Sequence, residues 1–217
     1  MQTYVLRLWL PDFPGTLGRV AAAIGEAGGD VIGIEILERG AGMAIEELIV
    51  VIPSDAENAM EQLIAEVSQV EGVAVEDIHT VALDRPDQSV LALDTAARIM
   101  ESPRDERLEA TCELVREMLE SDWCVMLSDQ ESIPLATSGD VPDLAWLAAF
   151  IDGASHLSID DAHEYTPSDM AWAPLGQAGP TIVSGRSKGA FRLRERRHLT
   201  LIARIIGSVP MVDSGPQ

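Results

Sequence analysis

The chain has 217 residues, 47% of them hydrophobic, and a formal net charge of −21 at pH 7. That length and apolar content suffice for two modest packed domains, whereas so acidic a surface repels a phosphate backbone and argues against a nucleic-acid partner. No apolar run is long enough to cross a bilayer and the N-terminus shows no basic-then-apolar leader, so a cytoplasmic protein with no membrane partner is expected.

In chain order, Thr3 to Leu10 reads as a strand that ends in the turn Pro11-Asp12-Phe13-Pro14-Gly15, and a helix opens at Thr16. Leu17, Val20, Ala21 and Ile24 fall at i, i+3, i+4 and i+7, giving that helix one apolar stripe, and Gly28-Gly29 stops it. From Asp30 a second strand runs through Val31, with Ile32, Ile34 and Ile36 alternating onto one face. A third strand spans about Met43 to Ile52. Ser54-Asp55-Ala56-Glu57 has the capping-box pattern of a helix whose buried stripe is Ala56, Ala59, Met60, Leu63, Ile64 and Val67. A last strand covers about Val73 to Leu83. The order strand, helix, strand, strand, helix, strand predicts a ferredoxin-like split βαβ unit, an antiparallel sheet with both helices on one face.

The first turn carries two readings. Pro14 and Gly15 make a tight strand-to-helix connection in many α/β proteins, and Asp12 and Asp30 accept local hydrogen bonds as turn residues do. Alternatively, the free N–H groups near Thr16 to Gly18 point out of a helix start of partial positive charge, where a carboxylate can be held. In motif and element order, residues 1–84 resemble an ACT domain, a module that in its family binds amino acids to regulate metabolism. The resemblance implies an effector site at Asp12, Phe13, Pro14, Gly15, Thr16 and Leu17, with Asp30 and Val31 of the second-strand region, commonly that of a partner chain. Asp12 or Asp30 then takes the ligand's ammonium group. The resemblance also implies a homodimer. The family often places a neutral residue where Asp30 stands.

Leu83 to Ser89 is polar and broken by Pro86, which places a linker at 85–89 between the first unit and residues 90–208. A long amphipathic helix is predicted from about Asp94 to Ser121, then a buried strand Trp123 to Leu127 and another strand from Pro134 to Ser138. Leu144, Leu147, Ala148 and Ile151 form a further helical stripe. Asp169 to Gly176 and Pro180 to Arg186 read as two strands, and a final helix reaches about Ser208. Cys112 on a helical stripe and Cys124 in an apolar strand read as buried free thiols, with no Cys-x-x-Cys spacing for a metal or redox pair. The closing strand pair and the Phe-x-x-x-Glu helix start at Phe191 to Glu195 resemble a GAF domain, over about residues 90–208. The resemblance implies an antiparallel sheet with helices, acting as a small-molecule sensor or dimerising module. Residues 209–217 read as a disordered tail.

Charge is uneven. Residues 87–169 hold 19 Asp or Glu against 4 Arg, whereas residues 186–204 hold 6 Arg and Lys188 against Glu195 alone. Arg192, Arg194, Arg196 and Arg197 are expected to form ion pairs with the acidic helix of residues 94–122, in preference to binding an anion. His156, Asp160, Asp161, His163 and Glu164 are metal-ligand types in one loop, but such loops are usually just solvated. Gly185 to Gly189 lacks the spacing of a phosphate-cradling loop. No nucleophile elbow, zinc-protease helix, dinucleotide fingerprint or kinase set is present. The α+β chain is therefore expected to be a non-enzymatic regulator without cofactor or metal that senses a small ligand, an amino acid by resemblance. A subunit serving only protein interactions is the alternative, and a GAF-type enzyme or a redox sensor using Cys124 a third reading.

Overall fold

A computed structural model describes residues 1–53, 58–83, 86–128, 133–155, 166–176 and 179–209. The predicted capping box at 54–57, the loop at 156–165 and nearly all of the tail lie outside the described residues, as do residue 84 and residue 85 of the predicted linker. The chain divides into two compact units, residues 1–87 and 88–217.

The first unit contains β1 (Gln2–Pro11), α1 (Thr16–Glu26), β2 (Asp30–Gly40), β3 (Met43–Ile52), α2 (Ala59–Ser68) and β4 (Ala74–Val81). The strands form one antiparallel sheet in the order β2-β3-β1-β4. Alternation along the central strand β1 sends Tyr4, Leu6, Leu8 and Leu10 to one face. There they pack with Val20 and Ile24 of α1 and with Ala59, Leu63 and Val67 of α2. The predicted stripe of α1 needs one correction, since Ala21 is exposed and Ala23 takes its place in the core. The helix is rotated so that Val20, Ala23 and Ile24 face the sheet.

β2 is an edge strand, and its alternation leaves Ile32, Ile34 and Ile36 exposed. Ile34 and Ile36 pair in register with Leu48 and Glu46 of β3. They therefore lie on the helix-bearing face of the sheet, where this chain leaves them uncovered.

The second unit contains α3 (Gln88–Glu101), α4 (Arg107–Met118), β5 (Trp123–Leu127), β6 (Pro134–Gly139), α5 (Leu144–Ser155), β7 (Met170–Pro174), β8 (Thr181–Gly185) and α6 (Leu193–Gly207). Its antiparallel sheet runs β6-β5-β8-β7. One face carries Cys124, Met126, Ala171 and Ile182, covered by Ile99, Val115, Leu199 and Ile202 of α3, α4 and α6. On the other face, Val125, Leu127, Trp172 and Val183 pack with Leu147 of α5.

The single helix expected from Asp94 to Ser121 is instead two. Pro103 has no N–H to continue the ladder and its ring clashes with the preceding turn. The chain breaks there, and the buried Arg107 guanidinium donates to the Met100 and Ser102 carbonyls at 3.0 and 3.1 Å, closing the end of α3. α3 also begins at Gln88, inside the segment expected to be linker.

Candidate functional site

β1 delivers its C-terminal turn to one end of the first sheet. The Asp12 amide donates to the Gly42 carbonyl at 2.9 Å, tying the turn to the β2–β3 connection, and the Phe13 amide closes onto the Pro11 carbonyl at 2.8 Å. Gly15 stands before the helix at φ 91°, a left-handed conformation that suits glycine. The amides expected to be free narrow from three to two, because Thr16 donates to the Phe13 carbonyl at 3.2 Å. Among the described residues, the Leu17 and Gly18 amides have no backbone acceptor, and no side chain caps the helix. The first turn has no acidic residue. Arg19 extends back over it, its Nη2 donating to Thr16 Oγ1 at 3.2 Å. Helix dipole, two amides and a guanidinium thus make this end attractive to an anion. Phe13 is 68% exposed beside it, Asp12, Pro14 and Gly15 are exposed, Thr16 is buried and Leu17 is half-buried.

Opposite charges complete the surroundings. Arg39 Nε lies 3.9 Å from Asp12 Oδ1. Glu46 was not foreseen from the sequence. It lies on β3 in register with Leu8 of β1 and Ile36 of β2, which puts it on the face that α1 and α2 cover. Only 3% of it is exposed, and its Oε2 has no hydrogen-bond partner among the described residues. Burial pushes its carboxyl above the ordinary range, with Asp12 adding to the shift and Arg39 opposing it. Its neighbour Glu47 points to the other face and is held by Arg7, at 2.7 Å from Nη2 and 3.1 Å from Nε. The available signal was a pair of carboxylates inside the otherwise apolar run Met43 to Ile52.

Asp30 and Val31 are not brought to this end within one chain. Asp30 pairs with Val51 while Gly40 pairs with Met43, so the two ends of β2 are separated by about 30 Å at about 3.3 Å per residue. Asp30 is exposed and Val31 half-buried.

In the second unit the basic segment is engaged internally. Arg186 donates to the carbonyls of Leu119, Gly189 and Ala190 at 3.0, 3.1 and 2.7 Å, pairs with Glu195 at 2.9 Å and lies over the Phe191 ring at 4.1 Å. Glu195 also accepts from the Arg192 amide at 2.7 Å, so the start of α6 is closed by its own side chains. Two of the four arginines expected to pair with the acidic helix have acceptors outside it: Arg194 reaches Ser89 Oγ and Arg196 the Pro167 carbonyl, both at 3.1 Å. Asp122 accepts from the Ser187 amide at 2.6 Å, and these Ser187 contacts lower its pKa. Cys112 and Cys124 are free and buried, as expected. Burial, reinforced by its contact with Cys112, pushes the Cys124 thiol well up, which disfavours a reactive thiolate. An open groove of about 460 Å³ between α3 and α4 is lined by Arg98, Glu101, Ser102, Ala110, Glu113, Leu114 and Glu117. Among the described residues no cluster of His, Cys, Asp and Glu suits a metal, the His156 to Tyr165 loop lying outside them. No described helix is long and apolar enough to cross a membrane.

Residues 4–72 match the model of the ACT domain family. This segment is an ACT domain. The chain is similar to the C-terminal domain of the MgtC protein from Mycobacterium tuberculosis, at 21% identity over 40% of this chain and 95% of that one, with a TM-score of 0.32. An ACT domain protein from Streptococcus pneumoniae is 18% identical over 40% of this chain and 97% of its own, with a TM-score of 0.30. A protein proposed to be a glycine cleavage system transcriptional repressor is 10% identical over 86% and 81%, with a TM-score of 0.35. No curated protein matches the chain. ACT domains are regulatory modules that bind small molecules, often amino acids. The predicted site residues Asp12 to Leu17 all lie within this ACT domain, at the β1–α1 turn.

Proposed function

We propose that the protein is a non-catalytic regulator whose ACT domain binds an amino acid at the β1–α1 turn. The observation that carries this reading is the open start of α1, where the Leu17 and Gly18 amides lack acceptors and Arg19 lies above them. The ligand's carboxylate sits on these donors, and an acidic side chain near the turn receives its ammonium group. A second copy supplies the remainder. Antiparallel pairing of two β2 edges covers Ile32, Ile34 and Ile36 and sets Asp30 of the partner subunit near the Gly40 end of β2, beside the turn. Glutamate at both Ile34 and Ile36 is expected to turn a dimer into a monomer in light scattering. A wild-type monomer at micromolar concentration would count strongly against the pairing.

The second unit acts as a GAF-like sensor or dimerising module. That assignment is supported by a sheet with its first and last strands central, helices on both faces, and the Phe191-x-x-x-Glu195 start of α6. The exposed isoleucines of β2 also favour an accessory subunit that only binds protein. Thermal-shift screening of the full chain against the twenty amino acids and common nucleotides separates the two, since a ligand of the native state raises the apparent Tm with its concentration. Calorimetry then places the site. Asp12→Asn is expected to weaken an amino acid by about 1.5–3 kcal/mol where the contact is direct. If no compound shifts the melting, the protein-interaction reading stands instead.

A further inference from the structure

On the helix-bearing face of the sheet, Glu46 is a buried carboxyl whose Oε2 has no hydrogen-bond partner among the described residues. Its register partners Leu8 and Ile36 are apolar, as are Ala44 and Leu48 before and after it on the same side of β3. A carboxyl in such a place is costly unless something meets it. The charged groups that act on it belong to the open turn or its rim: Asp12 from the turn and Arg39 from the end of β2. Arg39 and Asp12 are exposed and set toward each other, so neither is committed to Glu46 as Arg7 is to Glu47.

We infer that Glu46, rather than Asp12 or Asp30, is the buried acceptor for the ligand's protonated amine, beneath the helix start that takes its carboxylate. This inference rests on the amino-acid reading of the ACT domain. The two ends of the site are then of opposite sign and different depth. Leu17, Gly18 and Arg19 offer donors at the rim, while Glu46 offers an acceptor on the floor. That polarity selects zwitterions over simple carboxylic acids. An arriving ammonium also favours the ionised form of Glu46, so binding releases a proton from the fraction of protein in which that carboxyl is protonated. Only proton transfer to solvent is involved.

The test uses the full chain and calorimetry. Each of the twenty amino acids is titrated, and the tightest is compared with its des-amino acid, such as propionate for alanine. Glu46→Gln is expected to weaken the amino acid about tenfold to a hundredfold while leaving the des-amino acid within about twofold. Equal loss for both ligands, or no loss for either, overturns the role of Glu46 but leaves the amino-acid reading intact. Failure of the wild type to bind any amino acid sinks both. Should Glu46→Gln fold poorly, the wild type alone decides. Its affinity for the amino acid is expected to rise as pH is raised through the range in which the Glu46 carboxyl ionises, with proton release in buffers of differing ionisation enthalpy. A flat affinity with no proton release overturns the assignment.

Discussion

Two helix starts in this chain, that of α1 and that of α6, each follow a strand and a short turn containing glycine, yet they end in opposite states. At α6 the start is closed by its own side chains: Glu195 turns back to the Arg192 amide, and Arg186 joins that carboxylate to three carbonyls and the Phe191 ring. At α1 the Leu17 and Gly18 amides have no backbone acceptor among the described residues, and no acid occupies the first turn. The α6 region is richer in charge, yet the cation of Arg186 is spent on the fold itself. What makes a site is the polar capacity left over once the fold has satisfied itself.

The sharpest way to break this comparison is to open the closed start. Arg186→Ala removes a buried guanidinium and leaves the half-buried Glu195 without its cation, and is expected to cost about 3–5 kcal/mol, read by urea denaturation. A loss below about 1 kcal/mol would show that α6 is held by something else. Gly15→Val forces a β-branched residue into the left-handed region and is expected to cost about 1–3 kcal/mol, while also crowding the ligand's approach. Unchanged stability in that variant would mean that the turn tolerates another backbone path.

Glu46 adds a pH dependence of defined sign. Its folded-state carboxyl titrates above its unfolded value, so the folded chain binds more protons between the two and stability falls as pH rises from about 4.3 through the raised value. Glu46→Gln lacks this fall, and its stability relative to wild type is expected to climb over that interval and then level off in denaturant melts at stepped pH. A constant difference would place the carboxyl in water. The smallest effect belongs to Arg19→Ala, expected to change stability by less than about 0.5 kcal/mol while weakening an amino acid and its des-amino acid alike. A large loss of stability there would put Arg19 in the same class as Arg186.

Strand and helix positions were legible wherever alternation was local and uninterrupted. β2 begins at the predicted Asp30, and β3 and β5 occupy Met43–Ile52 and Trp123–Leu127 as read. Pro103 was visible, but the apolar period on either side of it outweighed it, and one helix was expected where two exist. Ala21 and Ala23 are chemically identical, so only the packing of α1 on β1 and β3 could choose between them. Asp12 to Leu17 announced a turn through Pro14 and Gly15. Glu46 and Glu47 stood out in the apolar run Met43 to Ile52, but which of the two faces the helices was not decided until their cross-strand partners were known.

Sequence by itself determined the order of elements, the open turn after β1 and the apolar stripe of β2, since these depend on backbone restrictions and side-chain period within a few residues. Only the tertiary structure decided which charges were spent and which remained. Arg186 meets Leu119 across 67 residues, and Glu46 meets Leu8 and Ile36 from two different strands. Burial, which makes an unpaired carboxyl costly and a paired guanidinium structural, is a property of such distant neighbours.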